Sequence, residues 1–282
     1  MPIDPAVAIG AEVGSVDFSW SETDVLLYQL AIGAKNLSYT LETAGLQVLP
    51  SFAVVAPTFH MTDPPPHDLP GCDIDLAQVV HGSQSVTVHG PLPTTGSARL
   101  TTRITDVWDK GKAAVIGQEG TATSVEGPDS RELWTVRSSI FVRGEGGWGG
   151  DRGSSEPVTP PDRSPDLETS YDVRDDQALL YRLCGDRNPL HADPAFAQKA
   201  GFPAPILHGL CTWGIALREV TEGLLSADAG SVGGFSARFA GVVFPGETIH
   251  VRAWDEGERI LLDATDGDDH RPALADGVLV RA

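Results

Sequence analysis

Two periodicities alternate along the chain, and the alternation happens twice. Residues 23–34 (TDVLLYQLAIGA) place Leu26, Leu27, Leu30 and Ala34 (or Ala31) at helical spacing, with Asp24 near the start where the helix dipole favours it. Residues 47–60 are apolar but cut by Pro50 and Pro57, which predicts short buried pieces. Residues 63–71 (DPPPHDLPG) read as a loop. From Gln78 the period becomes two. Residues 79–90, 97–124 and 131–144 predict three or four antiparallel strands, with Asp109-Lys110-Gly111 as a turn joining two of them. Glycine, serine and proline then dominate Gly144 to Pro165, which predicts a linker.

After the linker, Asp172 to Cys184 reads as an amphipathic helix opened by Asp172 and Asp175 as a capping pair. Gly185 ends it, since glycine accepts the left-handed conformation of many helix termini. Pro189 drives Asn188 out of the helical region, so Asn188 caps a turn that begins at Pro189. Asp193-Pro194 repeats the device and opens a short helix through Lys199 that stops at Gly201. Ile206 to Leu225 is the longest helical pattern, apolar on several faces and therefore buried. Gly209 and Gly214 weaken it locally, which implies close backbone approach there. Strand spacing returns from Val232 and closes on a tail strand, GVLVRA.

The halves echo one another. LLYQL (26–30) matches LLYRL (179–183), and WDKGK (108–112) matches WDEGE (254–258), in the same order. A duplicated α+β unit follows, with halves at 1–143 and 166–282 and the linker at 144–165. The first half has no counterpart of the bend at 185–191 or of the 206–225 helix, so the chemistry is expected in the second.

Formal charge narrows the partners. A net −19 over 282 residues repels phosphate backbones and anionic lipid, so neither nucleic acid nor a membrane surface is expected. No stretch has the pattern of a signal peptide or the length of a membrane span. The three cysteines, Cys72, Cys184 and Cys211, form neither a disulfide framework nor a zinc set, which fits a cytoplasmic protein. Cys184 and Cys211 read as core thiols.

Asp186, Asn188 and His191 lie within six residues on a proline-stiffened bend. Asp186 alone could cap a turn, and His191 alone could be a satisfied core histidine. Together on one rigid bend, a carboxylate and an imidazole suit two proton transfers to one small molecule. Gly209 opens the long helix, where free N–H groups meet a positive dipole. It could stabilise an oxygen gaining charge, or simply permit close packing. Gly144, Gly146 and Gly149 match GxGxxG, but no helix is predicted after them to receive a pyrophosphate. The eight histidines show no HxxxH or HExxH pair, so no metal is expected, and there is no GxSxG elbow.

At YRLCGDRNPLH (181–191), followed by Ala197 and PILHGLC, the sequence resembles the (R)-specific 2-enoyl-CoA hydratases. These are MaoC-like hot-dog proteins that include the hydratase part of peroxisomal multifunctional enzymes. The resemblance extends to His81-Gly82, to the DKG turn at 109–111 and to RFAxxxxPGET from Arg238 to Thr248, and is greatest to stand-alone double hot-dog forms of actinobacterial type, some tied to steroid side-chain breakdown. It implies two antiparallel sheets, each wrapped on a helix, with the N-terminal helix reduced to make room for a bulky acyl chain. It implies that Asp186 and His191 hold one water, that Asn188 orients them, and that the Gly209 N–H binds the thioester oxygen. His81, Gly82, Lys110 and Phe239 would line the acyl-CoA path, Lys110 as a phosphate partner; without the resemblance Lys110 reads as an ordinary hairpin lysine. Gly241 departs from the pattern, since relatives often carry lysine there. The implied reaction is reversible hydration of trans-2-enoyl-CoA to (3R)-3-hydroxyacyl-CoA, by a homodimer, with no cofactor beyond the coenzyme A of the substrate. A hot-dog thioesterase and a non-catalytic acyl-CoA-binding subunit are the alternatives.

Overall fold

The computed structural model describes residues 3–62, 69–75, 78–127, 130–154 and 157–282. Positions 63–68, most of the expected loop 63–71, and positions 155–156 of the expected linker lie outside the described residues. The strands are β1 (Glu12–Trp20), β2 (Val79–Val88), β3 (Gly96–Asp109), β4 (Ala113–Ser124), β5 (Glu132–Arg143), β6 (Leu167–Asp172), β7 (Val232–Phe239), β8 (Thr248–Asp255), β9 (Arg259–Asp266) and β10 (Arg271–Arg281). They form one antiparallel sheet in the order β1-β3-β4-β5-β2-β7-β10-β9-β8-β6.

That order is two copies of one topology. In each half the five strands run first, third, fourth, fifth, second, and the two second strands, β2 and β7, pair edge to edge. The seam runs from Ser83 opposite Arg238 to Thr87 opposite Gly234. Joining the edges leaves neither strand with an open row of backbone groups. The echo between halves in the sequence is thus a repeat of structure.

The helices are α1 (Pro5–Ala8), α2 (Glu22–Ala31), α3 (Leu37–Thr40), α4 (Phe52–Val55), α5 (Gln177–Tyr181), α6 (Pro194–Lys199) and α7 (Gly209–Leu224). The 16 residues of α7 pack against β6, β7, β8 and β10, with Trp213, Ile215, Leu217 and Val220 fully buried. The first half has only the 10 residues of α2, followed by the short α3 and α4. Ser21 and Asp24 form a capping box that starts α2. It docks on α7, where a Cβ at Gly214 would stand 2.7 Å from the Tyr28 hydroxyl. Arg218 of α7, ion-paired with Glu219 and Glu222, donates from Nε to the Ile32 carbonyl at 3.0 Å. The helices of the two halves, α2 and α7, thus meet in one core.

One expectation is corrected. Asp172 caps no helix: it ends β6, and its carboxylate accepts from the Thr248 hydroxyl at 2.8 Å. The helix begins only at Gln177, because the alternating Glu-Thr-Ser-Tyr run fits a pleated edge paired with β8. The strands that precede each helix, β1 and β6, were not expected. The glycine run at 144–149 wraps the chain's own carboxylate. Gly147, Gly111 and Gly149 donate to Asp109 at 2.8, 2.7 and 2.7 Å. These amides hold the Asp109 carboxyl down at about 2.

Candidate active site

The bend from Gly185 to His191 is fixed at both ends. A single 3-10 turn, Arg182–Cys184, follows α5 and closes on Gly185, whose φ of +111° is left-handed territory. Asn188 then caps the next turn, Pro189–His191, its side-chain oxygen accepting from the Leu190 N–H at 3.0 Å. Its own N–H donates to the Asp186 carboxylate at 3.1 Å. One residue therefore anchors the carboxylate and starts the turn that carries the imidazole. Asp193 caps α6 through Ala195 and Phe196, as the sequence predicts.

His191 is buried, and its Nδ1 lies 2.8 Å from the Ile206 carbonyl. A carbonyl only accepts, so Nδ1 carries the proton and Nε2 presents a lone pair. Burial lowers the proton affinity of His191, against the Ile206 carbonyl and the Asp186 charge, which raise it. A neutral ring beside an exposed carboxylate results. The ligand atoms of Asp186, His191 and His208 all lie within 4.8 Å of one another.

His208 was not singled out from the sequence, although it stands directly before Gly209 in PILHGLC. It is the residue before the first turn of α7, and its ring stacks on His191 with centroids 3.7 Å apart and planes 26° from parallel. Burial, and the neighbouring His191, keep it neutral. The trio offers three potential metal-binding atoms, two of them on stacked rings. A metal held at about 2.0–2.1 Å in the plane of one ring would lie well out of the plane of the ring stacked on it.

The first half reaches the site through His81. Its ring packs on Phe239 of β7, centroids 4.6 Å apart, and it feels the Asp186 charge. Burial is the largest influence on its proton affinity and pushes the imidazole down to about 4. Phe239 in turn covers Gly209: a Cβ there would stand 3.1 Å from the ring. Gly82 sits at a register shift between β2 and β5, where a Cβ would stand 2.8 Å from the Ser139 hydroxyl. At Gly241 a Cβ would overlap the Pro272 carbonyl oxygen, so a lysine does not fit the backbone as it runs here.

Lys110 stands elsewhere. His81 pairs with Ile140, Ile140 with Ile116, and Ile116 with Val107, so three strand spacings separate His81 from the strand that leads to Lys110. The separation is roughly 14 Å across the sheet. Lys110 donates to the Arg152 carbonyl and lies 5.0 Å from the Trp108 ring centroid. Asp186, Asn188, His191, Gly209, His81 and Phe239 are brought together, with Gly82 shaping the strand beside them. Lys110 is not among them. Cys184 and Cys211 are buried thiols, and burial pushes Cys184 up to about 12.

Two family models match the chain. The profile of the MFE-2 hydratase 2 N-terminal domain matches residues 18–144, and that of the MaoC-like domain matches residues 156–270. The enoyl-CoA hydratase ChsH3 of Mycobacterium tuberculosis is 54% identical over 268 residues, covering 93% of this chain and 92% of that one. The chain belongs to the MaoC-like hydratase 2 family. The 3-hydroxyacyl-thioester dehydratase Y of the same organism is 40% identical over 296 residues, covering 99% of this chain and 98% of that one. Among solved structures, a MaoC-like dehydratase from Phytophthora capsici superposes with a TM-score of 0.91 at 28% identity, covering 99% of this chain and 98% of that one. The fold is the double hot-dog.

Proposed function

We propose that this hydratase-family enzyme adds water reversibly to trans-2-enoyl-CoA, giving (3R)-3-hydroxyacyl-CoA, in fatty-acid or steroid side-chain β-oxidation. The observation that carries the reading is the Asp186 carboxylate and a neutral His191 on one bend, a carboxylate oxygen and a ring nitrogen lying within 4.8 Å of each other. The two groups hold one water against C3 of the acyl chain. Its oxygen bonds to C3, and the proton taken by the dyad is returned at C2. Every atom of the water ends in the product, so the chemistry consumes no oxidant, reductant or metal. As C3 is attacked, charge moves onto the thioester oxygen. The Gly209 N–H, first in a helix of 16 residues, donates to it.

The second half supplies the chemistry and the first half binds the acyl and coenzyme A parts. His81, Gly82 and Phe239 line the acyl path at the β2–β7 seam. Lys110, on its hairpin, meets a phosphate at the far end of the coenzyme. The short α2, in place of a helix as long as α7, leaves room for a bulky chain. The working form is a cytoplasmic homodimer. Free cysteines support that location, and no helix among the described residues is long and apolar enough to cross a membrane.

Enzyme mixed with crotonyl-CoA or a longer enoyl-CoA should consume the conjugated absorbance and yield the (3R)-alcohol on chiral analysis. Release of free thiol to a thiol-reactive dye, with no alcohol formed, would replace this reading with a thioesterase.

A further inference from the structure

His208 touches both members of the dyad through different parts of its ring. Nε2 lies 3.3 Å from the main-chain carbonyl of Asp186. A carbonyl only accepts, so Nε2 carries the proton and donates, and Nδ1 is left unprotonated. That Nδ1 is buried with no partner. One face of the ring lies on His191, and Tyr181 packs against it with centroids 4.9 Å apart. A residue needed only to start α7 would use its side chain as a cap, yet His208 makes no such bond.

Each catalytic group needs a second support. His191 has one polar tether, from Nδ1 to Ile206, about which the ring plane could still turn. Asp186 is exposed and follows a left-handed glycine, and its carboxylate accepts from the Asn188 N–H at 3.1 Å. We propose that His208 is a positioning residue for hydration: its Nε2–H fixes the Asp186 main chain, and its face fixes the ring plane of His191. The inference rests on the dyad reading above and adds a third residue to it. An apolar ring would stack equally well without burying a bare nitrogen, so the donor is what histidine adds. The groups that act on His191 are Asp186 and the Ile206 carbonyl, which favour its charged form, and the desolvating ring of His208, itself affected by Arg182.

The test separates the two contacts. His208→Phe keeps a stacking face and loses the donor, His208→Gln keeps a donor and loses the face, and His208→Ala loses both. Steady-state hydration of crotonyl-CoA is measured for all three beside Asp186→Asn, with circular dichroism to establish folding. His208→Ala is expected to lower kcat by roughly 10²-fold, the scale of a small misplacement of reacting groups, with KM little changed. The Phe and Gln variants should each lose part of that. His208→Gln, by admitting water to His191, should move the acidic limb of the kcat/KM profile to higher pH, and His208→Phe should not. Folded Phe and Gln variants with wild-type kcat and an unmoved limb would overturn the inference while an inactive Asp186→Asn left the dyad standing. Wild-type turnover by Asp186→Asn would remove the dyad and this inference with it.

Discussion

The Thr58 carbonyl oxygen presses so closely on Gly185 that a methyl group there would overlap it. Thr58 belongs to the first half and Gly185 opens the bend of the second, so this contact sets where the bend stands. The left-handed φ of +111° adds a second reason for glycine. Gly185→Ala should therefore cost at least ~1–3 kcal/mol and lower kcat, read by thermal melting and steady-state hydration on the same preparation. A variant as stable and active as the parent would show that the bend does not depend on this joint.

Gly209 lies under Phe239 in the same manner, with 3.1 Å available to a Cβ. Gly209→Ala should push the ring or the helix start aside and weaken the oxygen-binding N–H, with a loss of about 2.7–4 kcal/mol in transition-state stabilisation if the donor is misplaced entirely. Adding Phe239→Leu should return part of the rate by making room. If the double variant is no faster than the single one, steric displacement is not the cause.

The buried His81 imidazole makes stability depend on pH. Its folded value of about 4 lies below the ordinary 6.5. Between those values the unfolded chain binds a proton that the folded chain does not, so stability rises with pH across the window and is lost as pH falls through it. The contribution is at most on the order of 3 kcal/mol. His191 and His208 are shifted in the same direction and add to the slope. Urea melts from pH 4 to 7 should steepen accordingly, and His81→Gln should flatten part of the slope. A slope unchanged by that substitution would mean that His81 titrates normally.

Lys110 provides a test of how the coenzyme lies. Lys110→Ala should raise KM roughly tenfold for an enoyl-CoA, as expected for one charge-assisted hydrogen bond of about 1.5 kcal/mol. It should leave KM for the matching enoyl-pantetheine, which lacks the nucleotide, unchanged. Equal effects on both substrates would assign Lys110 to its contacts with Trp108 and Arg152.

Much of this site was legible because local rules fix it. Asn188 before Pro189 caps a turn, and Asp193 before Pro194 caps a helix, wherever the chain goes afterwards. The duplicated topology was legible from short echoes such as WDKGK and WDEGE. The edge strands β1 and β6 were not: most of β1 is exposed on both faces, and β6, although it alternates, is short and polar and buries only Tyr171. His208 was missed for a related reason. Its importance comes from the fold bringing the start of α7 onto a bend 17 residues earlier in the chain, and no local pattern encodes that meeting. The glycines at 144–149 resemble a phosphate cradle, and only the fold shows that Asp109 fills it.

The central claim concerns one water between two side chains, and the turnover of Asp186→Asn tests it most directly. The substitution keeps the shape of the side chain and an acceptor for the Asn188 N–H, and removes the carboxylate. With folding established by circular dichroism, hydration of crotonyl-CoA should fall by roughly 10²–10⁴-fold, the range of a lost proton-transfer group, while the substrate still binds. Turnover within a few-fold of wild type would contradict the account.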